Sequence, residues 1–168
     1  LRIIGNGLTD LDGLDALTSL GGDLEIASNP SLVTLSGFST LTTIPGELTI
    51  FNHENLDTVA GLSALTSVGG DVSIDSNEAL SSIGLSALAT VGGDLEISGH
   101  IELMNIDSIH PSFAGSLASV GGDLRFIFND QLSECAPMDL ATQITLVGSL
   151  VQLGNLSCDS NCVGVICQ

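Results

Sequence analysis

The chain of 168 residues has no lysine, no tryptophan and no tyrosine, and its cationic side chains are Arg2 and Arg125 alone. Nucleic-acid phosphates and anionic lipid surfaces are bound by clustered lysine and arginine, so both are excluded as partners. Five phenylalanines are the sole aromatic residues, which removes the stacking platforms of a typical sugar-binding groove. No apolar run approaches the ~20 residues needed to cross a bilayer, so no transmembrane segment is expected.

Acidic residues dominate the charge of the chain. Aspartate and glutamate number 20 against two arginines, which gives a formal net charge of −18 at pH 7. Such a charge is compatible with cations or basic proteins as partners. The hydrophobic content of 43% in 168 residues is enough for one folded domain with a sizeable core.

The four cysteines lie in the last quarter of the sequence, at Cys135, Cys158, Cys162 and Cys167. An even number of cysteines confined to one end is typical of a local disulfide framework formed in an oxidising compartment. We therefore expect an exported protein that is extracellular or bound to the cell surface. Because the sequence opens with LRIIGNG, without a basic start or a cleavage motif, we expect a mature form or a fragment.

The chain is built from an internal repeat of about 24 residues. Each unit contains a Gly-Gly-Asp turn or a related turn, an L-x-I segment and a later asparagine or histidine. The second glycines of successive units are 24, 24, 23 and 29 residues apart, so one interval carries an insertion. The repeated segments are GGDLEIASNPSL from Gly21, PGELTIFNHENL from Pro45, GGDVSIDSNEAL from Gly69, GGDLEISGHIEL from Gly92 and GGDLRFIFNDQL from Gly121.

Each repeat predicts one strand followed by a segment that wraps around an apolar core. The L-x-I segment alternates apolar and polar residues, which is typical of a strand with one buried face. After the strand, apolar residues recur about every third position, as at Leu32, Leu35 and Phe38. Repeats of this size cannot bury their apolar face alone, so neighbours must stack and share one core. The sequence therefore predicts an all-β parallel β-solenoid.

We expect one domain with two parts. Residues 1–134 form the solenoid repeats, with an irregular insertion at 107–116, and residues 135–168 form a cysteine-containing C-terminal coil and a disulfide-bonded cap. Cys135 and Cys158 are 23 residues apart, so stacked repeats would place them ~4.8 Å apart, within the range that a disulfide accepts. This spacing predicts the bridges Cys135–Cys158 and Cys162–Cys167, with Cys135–Cys162 and Cys135–Cys167 as open alternatives.

The pattern L-x-x-[VI]-G-G-D-L-x-I-x-x-N-x-x-L, carried by residues 65–80 as LTSVGGDVSIDSNEAL, resembles the repeats of the receptor L domain. The similarity covers residues 1–135 and recurs five times. This resemblance implies a right-handed β-solenoid that acts as an extracellular binding or scaffold module and not as an enzyme. The alternative fold is a leucine-rich-repeat horseshoe, whose core pattern is similar but has a shorter spacing than the one from Leu20 to Leu24.

Two polar columns emerge when the repeats are aligned. One column holds asparagine or histidine after each strand, and we interpret it as a structural ladder that satisfies backbone groups in a turn. The other holds an acidic residue before each strand, and we interpret it as turn capping, with calcium between the repeats as the alternative and no other cofactor expected. The columns are Asn6, Asn29, His53, Asn77, His100 and Asn129, and Asp23, Glu47, Asp71, Asp94 and Asp123.

The outward-facing strand positions supply candidate contact residues. Phe51 and Ile127 fall on the solvent face, with Phe128 beside Ile127. They predict either an adhesive patch or residues that lie under a neighbouring loop or a missing coil. In the adjacent column, each arginine aligns with a glutamate one repeat away. The ion pairs expected from this alignment are Arg2–Glu25 and Arg125–Glu96.

The insertion predicts a second contact site. It contains the sequence IHPSF, in which His110 and Phe113 would form the tip of a loop that protrudes from rigid repeats. The alternative for Phe113 is packing into the core. The chain has no G-x-S-x-G motif, no H-E-x-x-H motif and no lysine for a phosphate-binding loop, so no enzyme is predicted.

The function expected from the sequence is a non-enzymatic extracellular or cell-surface recognition or adhesion module, with a protein or another surface ligand as partner. The alternative is a self-assembling structural subunit of a surface layer or filament, which stacks through the ends of the solenoid. An ice- or mineral-binding solenoid is a third hypothesis. It is disfavoured because the outward strand column is too mixed for a regular threonine array.

Overall fold

The computed structural model describes residues 1–110, 115–133 and 135–155. In these ranges the chain forms short strands, one α-helix and three 3-10 helices. The strands and the α-helix are β1 (Arg2–Ile4), β2 (Leu24–Ala27), β3 (Thr43–Ile44), β4 (Leu48–Phe51), β5 (Ser67–Val68), β6 (Val72–Asp75), β7 (Thr90–Val91), β8 (Leu95–Ser98), β9 (Ser119–Val120), β10 (Leu124–Ile127), α1 (Cys135–Gln143), β11 (Thr145–Leu146) and β12 (Leu150–Leu153). The 3-10 helices span Asp12–Leu14, Ser36–Phe38 and Ala60–Leu62.

The strands form two parallel sheets. The larger sheet has seven strands in the order β1-β2-β4-β6-β8-β10-β12, and the smaller sheet has five in the order β11-β9-β7-β5-β3. Strands pair with the equivalent strand one repeat away, so that Leu48 lies opposite Leu24 on one side and Val72 on the other. The predicted ion pair Arg2–Glu25 is present in this register, at 2.8 Å. A shift by one residue would turn the apolar face of a strand to solvent, so the alternation of the sequence holds the register.

One apolar core joins the residues of both sheets. In the larger sheet the inward residues of each strand are buried, as Leu24 and Ile26 are in β2. In the smaller sheet the inward residue is the second of each pair, as Ile44 is in β3. The apolar residues that recur every third position belong to the turns and 3-10 helices between the sheets, where Phe38 and Leu62 are fully buried.

The fold class predicted from the sequence, an all-β right-handed β-solenoid, is wrong. The described residues form two parallel sheets of seven and five strands together with α1, a parallel arrangement of the α/β kind. The helix occupies the start of the segment that was expected to form a coil and cap. Its sequence CAPMDLATQ lacks the alternation of a strand and contains good helix formers, with Pro137 in the first turn, where a missing N–H costs little.

The alternative fold, a leucine-rich-repeat horseshoe, is also not supported. In a horseshoe, one strand of each repeat lines the structure. Here a second, two-residue strand such as β5 or β7 stands immediately before a Gly-Gly turn and belongs to the smaller sheet. The sequence did not predict these strands, because two residues are too few for an alternating pattern to be recognised.

The predicted disulfides involve residues that lie mostly outside the described part of the chain. Cys135, the first residue of α1, is disulfide-bonded, whereas Cys158, Cys162 and Cys167 lie beyond the described residues. The stacking argument for Cys135–Cys158 assumed an offset of 23 residues. Between β10 and β12 the offset is 26 residues, because α1 lies between them. The pairings Cys135–Cys158 and Cys162–Cys167 stay predictions, and stacking no longer supports them.

Candidate functional site

The acidic column before the strands of the larger sheet is a hydrogen-bond ladder. The Oδ1 atom of Asp71 accepts the backbone N–H of Asp94, the equivalent residue of the next repeat, at 2.8 Å. Each such carboxylate therefore caps the turn of the next repeat, as the turn-capping interpretation predicts. The same bond joins Asp23 to the N–H of Glu47 at 3.0 Å, Asp94 to that of Asp123 at 2.7 Å, and Asp123 to that of Ser149 at 2.9 Å.

At several repeats the glycine that precedes the capped residue leaves room for the carboxylate of this ladder, as Gly46, Gly93 and Gly122 do. A Cβ atom on Gly93 would lie 1.9 Å from the Oδ1 atom of Asp71, and one on Gly122 would lie 2.0 Å from the Oδ1 atom of Asp94. These distances are far inside van der Waals contact, so any side chain there would displace the carboxylate. The Gly-Gly-Asp motif thus joins two neighbouring repeats as well as forming a turn within one.

The metal alternative for the acidic column gains no support from the structure. Within residues 1–110, 115–133 and 135–155, no group of three or more histidine, cysteine, aspartate or glutamate side chains could hold a metal ion. Calcium takes several oxygen ligands, and four of these side chains already bond a backbone N–H through one oxygen. The column consists of Asp23, Glu47, Asp71, Asp94 and Asp123.

Arg125 supplies a countercharge at one end of the acidic column. Its guanidinium binds the carboxylates of Asp94 and Asp123, the latter at 2.7 Å. The predicted partner Glu96 is more distant, at 3.9 Å. The backbone N–H of Ser149 and the Arg125 guanidinium lower the pKa of Asp123. In turn, the carboxylate of Asp94 raises the pKa of Arg125. Arg125 therefore compensates part of the negative charge at this end of the column.

The column of asparagines and histidines forms a second ladder, in the turns that follow the strands. The Oδ1 atom of Asn77 accepts the backbone N–H of His53 at 3.1 Å, and its Nδ2 atom donates to the Ile50 carbonyl at 3.2 Å. Both partners belong to the preceding repeat, so the side chain joins two repeats. The members that are 0–1% exposed are Asn29, His53, Asn77, His100 and Asn129.

His53 and His100 take the same role as the asparagines. The Nδ1 atom of His53 accepts the backbone N–H of Asn29 at 3.2 Å, and its Nε2 atom donates to the Ile26 carbonyl at 3.1 Å. A neutral imidazole with its proton on Nε2 makes both of these bonds, and the Asn29 carbonyl also lies 3.2 Å from Nδ1. Burial lowers the pKa of both histidines, against the raising effect of their backbone hydrogen bonds.

The structure does not bring the three predicted contact residues together. Phe51 of β4 and Ile127 of β10 share one column of the larger sheet, but β6 and β8 lie between them. At ~4.8 Å per strand the two residues are about 14 Å apart. Asp75 and Ser98 fill the intervening positions, and the Ser98 hydroxyl donates to Asp75 at 2.9 Å. Phe51 is therefore a separate exposed residue, while Phe128 accompanies Ile127.

Phe128 belongs to an apolar surface at the β12 side of the larger sheet. Its side chain is 56% exposed, and Leu153 on the neighbouring strand is 58% exposed. The ring lies against Gly154, where a Cβ atom would approach it to 2.2 Å. Val151 is also exposed and Ile127 is half-buried. We call these four side chains, Ile127, Phe128, Val151 and Leu153, the Phe128 surface.

The backbone of Phe128 has a conformation that bulky residues avoid. Its φ angle is 53°, in the left-handed region. A left-handed conformation costs an L-residue on the order of 1–2 kcal/mol, and glycine and asparagine adopt it most readily. The equivalent positions of the other repeats share the positive φ and hold small or polar residues: Gly5, Ser28, Asn52, Ser76, Gly99 and Gly154.

The structure places His110 in the interior and not at an exposed loop tip. Its side chain is buried, and its Nε2 atom lies 3.1 Å from the Oδ2 atom of Asp139 on α1. The backbone N–H of His110 bonds the carbonyls of Ile106 and Asp107 in a turn. His110 therefore joins the insertion to the helix. Phe113 lies outside the described residues, so its predicted contact role stays a prediction.

A ladder of hydroxyl groups on the smaller sheet is a feature that the sequence reasoning missed. The first residue of each two-residue strand is a threonine or a serine, and an open groove of about 470 Å³ runs along four of them. No charged side chain lines this groove. The ladder consists of Thr43, Ser67, Thr90, Ser119 and Thr145.

Comparisons with protein-family models, with curated proteins and with solved structures found no match to this chain. The resemblance to the receptor L domain therefore stays an expectation that depends on the repeat pattern. Among the described helices none is long and apolar enough to cross a membrane, since α1 has nine residues and the 3-10 helices have three each.

Proposed function

We propose that this chain is a non-enzymatic recognition or adhesion module, located outside the cell or at its surface, with a protein as its partner. The observation that carries the proposal is Phe128, an exposed aromatic residue held at a positive φ angle. Glycine or asparagine would adopt this backbone conformation at a lower cost. Strained residues cluster at functional sites, and exposed aromatic residues are favoured anchors of protein interfaces.

The use of the polar side chains favours binding over catalysis. The aspartate ladder and the asparagine and histidine ladder bond backbone groups between repeats, so these groups have little capacity left for a substrate. The side chains that remain exposed on the larger sheet include apolar ones, with Phe51 as a further example. A surface of this kind suits contact with a partner better than chemistry on a small molecule.

Two observations support a location outside the cell. Cys135 is disulfide-bonded, and disulfides persist chiefly in oxidising compartments such as the cell exterior. The resemblance of the repeats to the receptor L domain points to the same location. The two lines of support are independent, because the resemblance covers residues 1–135 while the other cysteines lie in the C-terminal segment.

The partner best suited to the Phe128 surface presents an apolar group beside basic side chains. The chain carries 20 acidic residues and a formal net charge of −18. A basic protein would therefore be attracted before contact, over a distance of one Debye length, ~8 Å at physiological ionic strength. Asp130, which follows the surface in the chain, is exposed. Apolar contact would then determine the specificity, and the opposite charges would raise the association rate constant.

The substitution Phe128→Ser tests whether the phenylalanine is retained for contact and not for folding. We expect the free energy of unfolding to change by less than ~1 kcal/mol, because Ser28 and Ser76 have the same φ angle at the equivalent positions of other repeats. Phe51→Ser is the matched control, since it removes another exposed phenylalanine without a change in strain. A loss of more than about 2 kcal/mol in Phe128→Ser alone would assign the ring to packing and would contradict the proposal.

Binding is measured by calorimetry with a short peptide of alternating lysine and leucine, and with polylysine of equal length as the control probe. We expect the lysine–leucine peptide to bind more tightly, and Phe128→Ser to weaken it about tenfold with no effect on polylysine. Phe51→Ser should leave both affinities unchanged. Equal binding of the two probes, or an unaltered affinity in Phe128→Ser, would remove the Phe128 surface as the contact site.

A second function is self-assembly of a structural subunit through the ends of the stack of repeats. Equivalent strands of successive repeats pair in parallel, and an unpaired strand edge favours pairing with another chain. Sedimentation separates the two functions, because monomers at all concentrations support recognition and concentration-dependent polymers support assembly.

A further inference from the structure

His53 and His100 are buried titratable groups that have no part in the Phe128 surface. Their side chains are 1% and 0% exposed, and they stand where neighbouring repeats have asparagine. The bonds of His53 join the turn after β4 to the repeat of β2. Those of His100 join the turn after β8 to the repeat of β6. Each histidine therefore lies at a junction between strands of the larger sheet.

A neutral imidazole reproduces the two hydrogen bonds of an asparagine amide. The Nδ1 atom of His100 accepts the N–H of Asn77 at 3.4 Å, as the Oδ1 atom of Asn129 accepts the N–H of His100 at 3.3 Å. The Nε2 atom of His100 donates to the Ile74 carbonyl at 3.1 Å. Likewise, the Nδ2 atom of Asn129 donates to the Ile97 carbonyl at 2.9 Å. The two side chains are interchangeable as long as the imidazole is neutral.

A protonated imidazole cannot keep this pattern. Imidazolium has an N–H on both ring nitrogens and no acceptor, so the backbone N–H of Asn29 or Asn77 would face a second donor. The carbonyl of Asn29 lies 3.2 Å from Nδ1 of His53, and that of Asn77 lies 3.1 Å from Nδ1 of His100. Either carbonyl could accept the new proton, but the N–H beside it would stay buried without an acceptor, which destabilises the junction.

Few charges near the ladder compensate a charged imidazole. Asp75 of β6 acts on His100 and favours its protonated form, whereas His53 is affected by the backbone groups of Asn29 and Ile26. The other carboxylates that adjoin the ladder in sequence have exposed side chains, so water screens them. These exposed residues are Glu54, Glu78, Glu102 and Asp130.

The direction of the pH effect follows from these surroundings. Burial outweighs the hydrogen bonds and Asp75, and it lowers the pKa of both histidines from the ordinary value of 6.5. Between the lowered pKa values and 6.5, the unfolded chain binds more protons than the folded chain. The stability that depends on the neutral imidazoles is therefore fully present above pH 6.5 and is lost as the pH falls through the lowered pKa values.

We propose that His53 and His100 form an acid-sensitive switch, which loosens the larger sheet at the β2–β4 and β6–β8 junctions when the two imidazoles take up protons. The β8–β10 and β10–β12 junctions are bonded by Asn129 and Asn155, which do not titrate. Acid therefore acts on the strands around Phe51, while the strands beneath the Phe128 surface stay joined.

The test replaces both histidines by the residue that the ladder uses elsewhere, in the double variant His53→Asn with His100→Asn. Urea unfolding and native-state hydrogen exchange are measured from above pH 7 to below pH 5 at constant ionic strength. We expect the exchange of the Asn29 and Asn77 amides, corrected for intrinsic rates, to become about tenfold faster for each pH unit across the titration window. In the double variant this acceleration should be absent.

The comparison between the two chains isolates the histidines, because the carboxylates and His110 are present in both. An equal pH dependence in the two chains would overturn the proposal. If the double variant fails to fold, the single variants and a nuclear magnetic resonance titration of the unaltered chain replace it. Imidazole pKa values below 6.5 support the switch, and values at or above 6.5 overturn it.

Discussion

At the scale of single residues, the sequence predicts which side chains form ladders but not which backbones are strained. Asn77 and Asp71 could be assigned to columns because their repeats align without gaps, and the structure places both in bonds between repeats. The strain at Phe128 could not be predicted, because a φ angle depends on how the turn is packed. A weak indication existed, since the aligned residues Ser28 and Asn52 are types that tolerate the left-handed region.

The contact between glycine and aspartate gives a prediction at this scale. Gly93→Ala places a Cβ atom 1.9 Å from the Oδ1 atom of Asp71, so we expect a loss of about 1–3 kcal/mol in the free energy of unfolding. Gly13→Ala is the control, because nothing lies within 4 Å of a Cβ atom there, and its effect should stay within about 0.5 kcal/mol. Urea unfolding measures both, and equal effects in the two variants would contradict the ladder.

At the scale of elements, the strands of the larger sheet could be predicted and α1 could not. The L-x-I alternation marks β2, β4 and β8 directly, because one face of each strand is buried. For α1 the sequence offers one short segment that has no counterpart in the other repeats, so the repeat pattern was extended through it. The two-residue strands of the smaller sheet, and with them its hydroxyl ladder, are too short to show a period.

The bond between the insertion and α1 gives a prediction at the scale of elements. Asp139→Ala removes the carboxylate that lies 3.1 Å from the buried His110, and we expect the free energy of unfolding to fall by about 1 kcal/mol. Hydrogen exchange should become faster in α1 and at the amides of Ile109 and His110, and should stay unchanged in β4 to β8. Glu54→Ala controls for the removal of an exposed charge. If hydrogen exchange became faster by the same factor throughout the chain, the contact between His110 and Asp139 would not stabilise α1 in particular, which would contradict the prediction.

At the scale of the whole molecule, stacking of the repeats was predictable and the fold class was not. The parallel register between Leu24 and Leu48 follows from the repeat spacing. The all-β solenoid prediction failed because it assumed that every repeat, including the segment from Cys135, has the same structure. The Phe128 surface was likewise predicted only in part. Ile127 and Phe128 were found from the outward columns, whereas Leu153 lies on β12, whose segment lacks the Gly-Gly-Asp motif.

The central claim is that the polar columns join the repeats and leave recognition to the exposed surface. Native-state hydrogen exchange of the variant Asn77→Ala tests it most directly, because this substitution removes the acceptor of the His53 amide. The account predicts at least about tenfold faster exchange at that amide, equivalent to a lost buried hydrogen bond. The His100 amide, which bonds Asn129, should keep its protection. Unchanged protection of the His53 amide would contradict the account.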